Sequence, residues 1–274
     1  MLLRSTVYAF RRKILHHYRK YGRSLPWRNT QDPYHILVSE VMLQQTQVAR
    51  VIPYYSNFIN TYPTILELAR ATTQDVLRIW SGLGYNSRAI RLLACARKVA
   101  SNYGGVIPSE TDELQKLPGI GAYTSGAIAA FAFDKPVVFY DTNIRRVLIA
   151  GLQLAPDIEH AELEKVLAAV LPRSSSREWY NALMDYGAMK LTASKTKIPP
   201  LSKQSIFKGS DREVRGRLMK ILLKDGSITL EKLSQLFPKK ECSEIVRRMI
   251  EEGLPLCLSR GNIKMLNEGS ALKK

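Results

Sequence analysis

Apolar positions recur at three- and four-residue spacing through most of this chain, which predicts a helical protein. Val7 to Tyr21 carries such a stripe opposite a basic face. From Tyr34 to Tyr62 the stripe continues through Ile36, Leu37, Val41, Leu43, Val48, Val51, Ile52 and Tyr55. A break or kink is expected there at Pro53, which lacks an N–H and clashes with the preceding turn. Shorter helices are expected at Ile65–Ala71, Thr73–Trp80, Asn86–Tyr103 and Thr111–Leu117, separated by Pro or Gly, then at Ala161–Leu171 and Glu178–Lys190. No strand-like alternation appears before about residue 254. The helical pattern lapses over Thr192–Gly209, a stretch rich in Lys, Ser and Pro that reads as a linker or an extended basic strap. Beyond it, Arg212–Asp225, Thr229–Phe237 and Glu241–Gly253 read as three short amphipathic helices, and Leu256–Met265 as a hairpin turning at Arg260-Gly261-Asn262. Three helices and a hairpin make a winged-helix layout, which serves DNA binding and protein–protein contacts alike. The expected organisation is a helical domain over 1–191, a basic linker over 192–209 and a winged-helix-like domain over 210–274.

Composition narrows the partner. The chain has 274 residues, a formal charge of +17 and 45% hydrophobic residues, enough apolar material for one large or two modest cores. So strong a positive balance is what a phosphate-neutralising protein needs, although a generally basic soluble protein would also show it. The region from Leu201 onward is about twice as rich in basic as in acidic residues. Cys95, Cys242 and Cys257 have no Cys-x-x-Cys spacing, and the four histidines, including His16-His17, form no ligand pattern. Free thiols in a reducing compartment are therefore expected, with no disulfide framework and no zinc site. No apolar run approaches 18 residues, and Met1-Leu2-Leu3-Arg4 lacks the apolar core of a signal peptide. A cytoplasmic protein is expected, nucleoid-associated if bacterial. With no repeat or coiled coil in view, a monomer is expected.

The candidate chemistry begins at Leu117-Pro118-Gly119-Ile120-Gly121-Ala122-Tyr123-Thr124. Two glycines flanking one apolar residue make a tight turn whose backbone can approach a ligand. The small residues that follow, from Thr124 to Ala130, read as a closely packed helix starting at that turn. Its free N–H groups and dipole would seat one phosphate. A plain turn is the bland alternative. About twenty residues on, Asp141-Thr142-Asn143 supplies an isolated carboxylate, which is either a reactive acid or the N-cap of the next helix.

Several strings together carry a resemblance: Leu25-Pro26-Trp27-Arg28, Asp32-Pro33-Tyr34, Ser39-Glu40-Val41-Met42-Leu43-Gln44-Gln45-Thr46-Gln47, Gly82-Leu83-Gly84-Tyr85, and the Leu-Pro-Gly-Ile-Gly turn. Over about residues 5 to 190, in order and with similar spacing, the chain resembles the helix-hairpin-helix DNA glycosylases, and among them the MutY-type adenine glycosylases. The resemblance implies an all-α, two-lobed helix-hairpin-helix glycosylase fold, here followed by the small winged-helix-like domain. It also implies double-stranded DNA, carrying a mispaired or damaged base, held across a cleft with the target base flipped out, at about a few kcal/mol of unstacking.

Breaking a purine N-glycosidic bond passes through an oxocarbenium-like sugar, so one acid should protonate the departing base and one carboxylate should stabilise the sugar. Glu40, beside Val41, Met42 and Leu43, is placed for burial that would keep it protonated; a capping or surface-paired glutamate is the alternative. By resemblance Glu40 protonates adenine, Asp141 stabilises the cation or forms a transient adduct, and Asn143 positions Asp141. Tyr123 stands where bifunctional relatives carry a lysine that forms a Schiff base. A tyrosine cannot make that adduct, so a monofunctional enzyme without strong lyase activity is expected.

The same resemblance makes Arg23, Trp27 and Leu43 residues of the adenine pocket, with Asn181 at the position that reads the adenine edge. There the family bears Glu or Gln, and Asn is one methylene shorter, which puts base preference in question. Tyr85 would wedge into the base stack, Gln45 and Thr46 would lie near the orphaned partner base, and Leu117, Gly119, Ile120 and Gly121 would form the DNA-gripping hairpin. Every aromatic among these, and Trp80, has core packing as its alternative. Two further departures stand out. The family's four-cysteine run for a 4Fe–4S cluster is missing after Ala182–Ala188, so no cofactor is expected. Some members lack the cluster, and the strap, with Lys195, Lys197 and Lys203, would then replace its DNA contact. No counterpart of the family's large 8-oxoguanine-reading domain is expected either.

The leading expectation is a monofunctional glycosylase removing adenine mispaired with 8-oxoguanine or guanine. The alternatives are a thymine or uracil mismatch glycosylase of the same fold and a non-enzymatic winged-helix DNA-binding protein.

Overall fold

A computed structural model describes residues 3–201 and 206–266 of the protein. It consists of fifteen α-helices among those residues and one small sheet. The chain divides into two compact units. One comprises Met1–Glu40, Ile107–Lys116 and Ile120–Lys203; the other comprises Val41–Val106, Leu117–Gly119 and Gln204–Lys274.

The first unit is built around α11 (Ser176–Met189), against which α1 (Arg4–Tyr21), α8 (Ala122–Phe133) and α9 (Thr142–Leu152) pack. α10 (His160–Val170) covers α9 and α1, and α7 (Thr111–Gln115) lies along α8. α8 is apolar or small all the way round and is buried from Thr124 to Ala132, as a core helix should be. Gly126 is what lets it close on the following strand-like segment: a Cβ there would sit 2.8 Å from Cβ of Phe139. Phe139 in turn stacks on Tyr180 at 4.1 Å between ring centroids and meets Tyr123 edge-on at 5.5 Å.

In the second unit α6 (Ser87–Asn102) carries α4 (Ile65–Arg70) and α5 (Thr73–Trp80), and α5 also meets α3 (Val48–Thr61). Thr64 and Glu67 form a reciprocal capping box at the start of α4, and Thr72 caps α5 through the N–H of Asp75. After the described residues resume, α13 (Asp211–Asp225) is followed by β1 (Ser227–Thr229), α14 (Leu230–Leu236), α15 (Cys242–Glu251), β2 (Leu256–Ser259) and β3 (Asn262–Met265). The sheet is antiparallel with order β1-β3-β2. α13, α14, β1 and α15 pack together over Val214, Leu218, Leu222, Leu233, Val246 and Ile263, and α13 also rests on α5. This is the order of elements in a winged helix.

Three local expectations need correcting. The break in the 34–62 stripe falls at Gln44–Gln47, between α2 (Pro33–Leu43) and α3, and Pro53 sits inside an unbroken α3. The carbonyl that Pro53 deprives of a donor belongs to Ala49, which is exposed to water. Within the strap, Ala193–Thr196 forms a single helical turn, α12. Finally, a strand precedes residue 254, since β1 pairs with β3; three residues are too few to show alternation. The hairpin turns at Arg260-Gly261, both at positive φ, which is the two-residue geometry that matches strand twist.

Candidate active site

Glu40 lies near the end of α2, 6% exposed, and its carboxyl makes no hydrogen bond among the described residues. Burial, and then the nearby carboxylate of Asp141, raise its pKa to about 8, against an opposing pull from Arg28. Glu40 is therefore a neutral acid at physiological pH. Asp141 is the N-cap of α9: its Oδ1 accepts the N–H of Ile144 at 2.7 Å, and its Oδ2 accepts the amide of Asn143 at 2.8 Å. Burial raises its pKa too, but the Ile144 and Asn143 hydrogen bonds and the charge of Arg146 all pull the other way. Glu40 has only Arg28 to favour its ionised form, so of the two acids Asp141 is the one whose surroundings favour the carboxylate more.

The capping and reactive-acid readings of Asp141 are thus compatible, since the cap is what holds the carboxylate. Arg146 donates to Oδ1 of Asn143 at 3.3 Å, extending the chain of orientation one residue further. α11 comes close here because residue 187 is glycine: a Cβ would stand 2.8 Å from the Asn143 carbonyl oxygen.

Tyr123 is the second residue of α8. Burial, then Glu40, then Asp141 drive its phenol pKa well above the usual value, so it remains an O–H beside the two acids. No lysine occupies that position.

Arg23 and Trp27 stand at the head of the first unit, Trp27 in a 3₁₀ turn spanning Pro26–Arg28 and 8% exposed. The guanidinium of Arg23 is engaged by the fully buried Asp185, Nε to Oδ1 at 2.6 Å. Arg28 clasps the same carboxylate with two bonds of 2.8 Å. Burial alone would raise the pKa of Asp185, but Arg28 and then Arg23 hold it below the usual carboxylate range. Asn181, on α11, is 7% exposed and makes no hydrogen bond among the described residues. The first unit thus brings together Glu40, Asp141, Tyr123 and Asn143. Reasoning from sequence assigned no role to Arg28, Asp185 or Arg146. A lone aspartate in the apolar run Ala182-Leu183-Met184-Asp185 was the available signal for a buried ion pair.

In the second unit, Gln45 and Thr46 form the turn after α2, and Tyr85 ends the Gly-Leu-Gly-Tyr loop; Gln45 and Tyr85 both have positive φ. A residue not anticipated, Arg88, fixes this turn. Its buried guanidinium donates to the carbonyls of Val41, Met42 and Gln44 at 2.7–2.8 Å, and reaches Thr46 Oγ1 at 3.2 Å and Gly84 O at 3.1 Å. Leu43, half-buried at the end of α2, belongs to this unit. Trp80 is core: it is fully buried and donates to Gly84 O at 3.0 Å.

At the hairpin, the side chains of Leu117 and Ile120 are buried, so what this turn can offer a phosphate is backbone. Gly119 has φ of +80° and a Cβ there would meet Cβ of Arg91 at 2.8 Å, which makes glycine obligatory. Gly121 precedes the first turn of α8 with open space at its Cβ position.

A cysteine-held 4Fe–4S cluster does not fit this chain, because it requires four thiolates and the chain has three cysteines. Two of these, Cys95 and Cys242, are buried, and no group of three metal-ligating side chains occurs among the described residues. Side-chain contacts tie residues 191–201 to α9. Arg146 reaches Leu191 O at 3.3 Å, Arg145 reaches Pro199 O at 3.3 Å, and Thr142 Oγ1 accepts the N–H of Leu201 at 3.3 Å.

Comparisons with known proteins identify the family. Residues 38–173 match the HhH-GPD superfamily of base excision DNA repair proteins. An adenine DNA glycosylase of Mycolicibacterium smegmatis is 39% identical over 231 residues, covering 77% of this chain and 79% of that protein. One from Mycobacterium tuberculosis is 38% identical over 237 residues, covering 76% and 77%. The rat adenine DNA glycosylase is 38% identical, but its matched part is 44% of that longer protein. Among solved structures, a thermostable thymine-DNA glycosylase superposes with a TM-score of 0.62 at 28% identity, over 71% of this chain and 94% of that one. An endonuclease III–DNA complex superposes with a TM-score of 0.62 at 20% identity, over 73% and 91%, a likeness of fold. With the hairpin, the two acids and their setting in place, the chain belongs to the adenine DNA glycosylases of the HhH-GPD superfamily of base excision DNA repair proteins.

Proposed function

We propose that this protein is a monofunctional DNA glycosylase that removes adenine mispaired with 8-oxoguanine or guanine from double-stranded DNA. The observation that carries the reading is a buried Glu40, whose surroundings keep its proton on, near an Asp141 whose carboxylate oxygens accept from Ile144 and Asn143. In the proposed reaction, Glu40 donates its proton to a ring nitrogen of the flipped adenine, and the N-glycosidic bond breaks with its electron pair leaving on the base. Asp141 stabilises the resulting oxocarbenium sugar. Water then adds to C1′ and returns a proton to the carboxylate of Glu40, leaving an abasic site. The phenol of Tyr123 cannot form a Schiff base, so the strand stays intact.

Trp27, Arg23, Leu43 and Asn181 would line the base pocket, with Asn181 presenting its amide to the adenine edge. Asp185 holds Arg23 and Arg28 so that their charges stay fixed near that pocket. Gln45, Thr46 and Tyr85 would engage the stack around the orphaned base, and the Gly119–Gly121 backbone one phosphate. The winged-helix-like domain over 210–274 would follow the strap, of which Lys203 lies outside the described residues, with its first helix resting on α5. The protein would work as a monomer in the cytoplasm, without an iron–sulfur cofactor.

The test is single-turnover base release from duplexes carrying A·8-oxoG, A·G, G·T and G·U, with and without alkali. The expected outcome is release of adenine, with strand cleavage only after alkali. Release of thymine or uracil would move the substrate to the mismatch branch, which the 28%-identical thymine-DNA glycosylase fold also accommodates. No release from any duplex would sink the enzymatic reading.

A further inference from the structure

Tyr85 is held from two sides. Arg88, on the helix that follows it, lies 5.3 Å from the ring centroid. Arg212, from α13 of the C-terminal part, lies 5.7 Å from the same centroid and donates to the phenol oxygen at 2.9 Å. A duplex that receives Tyr85 must therefore come up against α13.

Between α13 and the turns at 45–50 and 81–87 lies a cavity of about 1160 Å³, larger than most small-molecule sites. The acids on its wall are already satisfied. Glu252 is clasped by Arg215, Asp211 pairs with Lys240 at 2.8 Å, and Glu213 accepts the N–H of Gly209 at 2.6 Å. Three of its cations, Arg50, Arg217 and Lys220, are exposed and have no carboxylate partner among the described residues. The contrast is α15, the helix a winged helix ordinarily lays into DNA. Its Arg247 and Arg248 are both paired with Glu244, at 2.5 and 3.1 Å.

Gly216 adds an independent sign. It stands in the middle of α13 and on the cavity wall, one helical step of four from Arg212 and another from Lys220. Glycine there costs about 1 kcal/mol relative to alanine. Nothing among the described residues requires it, since a Cβ at this position would meet none of their atoms within 4 Å. A bare backbone on the wall of a cationic cavity suits a ligand that approaches the helix closely.

We propose that α13, through Gly216, Arg217 and Lys220, forms with Arg50 a second grip on the sugar–phosphate backbone of the duplex that Tyr85 enters. It rests on the reading of Tyr85 as a DNA contact, but it assigns the DNA-facing surface of the C-terminal part to its first helix rather than its third. The cations take phosphates, and Gly216 lets the backbone close on the helix.

The full-length protein, an Arg217→Ala/Lys220→Ala double variant and a Gly216→Leu variant are compared for affinity to an A·G duplex and to a fully paired one across salt concentrations. Melting temperatures check folding, and single-turnover adenine release at saturating enzyme checks chemistry. The double variant is expected to flatten the slope of log affinity against log salt by about two units, one for each phosphate that is no longer neutralised. It should weaken binding to both duplexes by on the order of tenfold at low salt, with release at saturation unchanged. Gly216→Leu is expected to melt normally and bind both duplexes on the order of tenfold more weakly. Unchanged slope and affinity in both variants would overturn the proposal and leave the face to an acidic protein partner. Should the wild type release no adenine, the glycosylase reading fails on its own, and the salt slopes still decide the role of α13.

Discussion

At the scale of single residues, Glu40 makes a two-sided prediction. Unfolded, it ionises near the ordinary glutamate value of 4.5; folded, it keeps its proton up to about pH 8. The folded state therefore binds an extra proton between those values, and the stability it derives from the neutral acid is lost as pH rises through that window. Glu40→Gln should melt above the wild type at pH 8 and match it near pH 4, while adenine release falls by several orders of magnitude. Wild-type release should itself decline above about pH 8, as the acid loses its proton. Thermal melts and single-turnover rates across pH 4–9 check both sides. Gly187 supplies a second prediction, because a methyl there would press on Asn143 and through it on Asp141. Gly187→Ala should cut the single-turnover rate by on the order of a hundredfold, the cost of displacing a reacting group by about 1 Å, with DNA affinity little changed. Glu40, Asp141, Asn143 and Tyr123 were legible in the sequence because each sits in a short string of recognisable spacing. Arg28 and Arg146 were not: the partner of Arg28 lies 157 positions away, and Arg146 acts through Asn143 and two distant carbonyls.

At the scale of elements, apolar periodicity located nearly every helix, because most helices here bury one stripe and expose the other. It misplaced the break after α2. That turn is set by Arg88, which collects carbonyls more than forty positions upstream, and no local pattern reveals such a contact. Arg88→Ala would strand several buried carbonyls, each costing about 1–3 kcal/mol. The variant should lose about 2–4 kcal/mol in urea unfolding, and Arg88→Lys should recover only part of it, since an ammonium has three donors and no fork. β1 escaped notice for the opposite reason: three residues carry no period, and their strand character comes wholly from pairing with β3.

At the scale of the whole molecule, charge and composition pointed to a nucleic-acid partner without saying which surface meets it, since a total of +17 has no address. The cysteines, by contrast, could be counted directly: three, one short of a four-thiolate set. Thr142, Arg145 and Arg146 tie α9 to residues 191–201 by hydrogen bonds alone. The protein should therefore refold from urea in the presence of a strong chelator and regain its full rate of adenine release; recovery only after added iron and sulfide would refute this. A repair enzyme that passed this test would draw its tie between α9 and residues 191–201 from guanidinium, hydroxyl and carbonyl groups. Its supply would then follow the rate of translation and not that of cluster assembly, so a cell short of iron would keep as much of it as a cell with plenty.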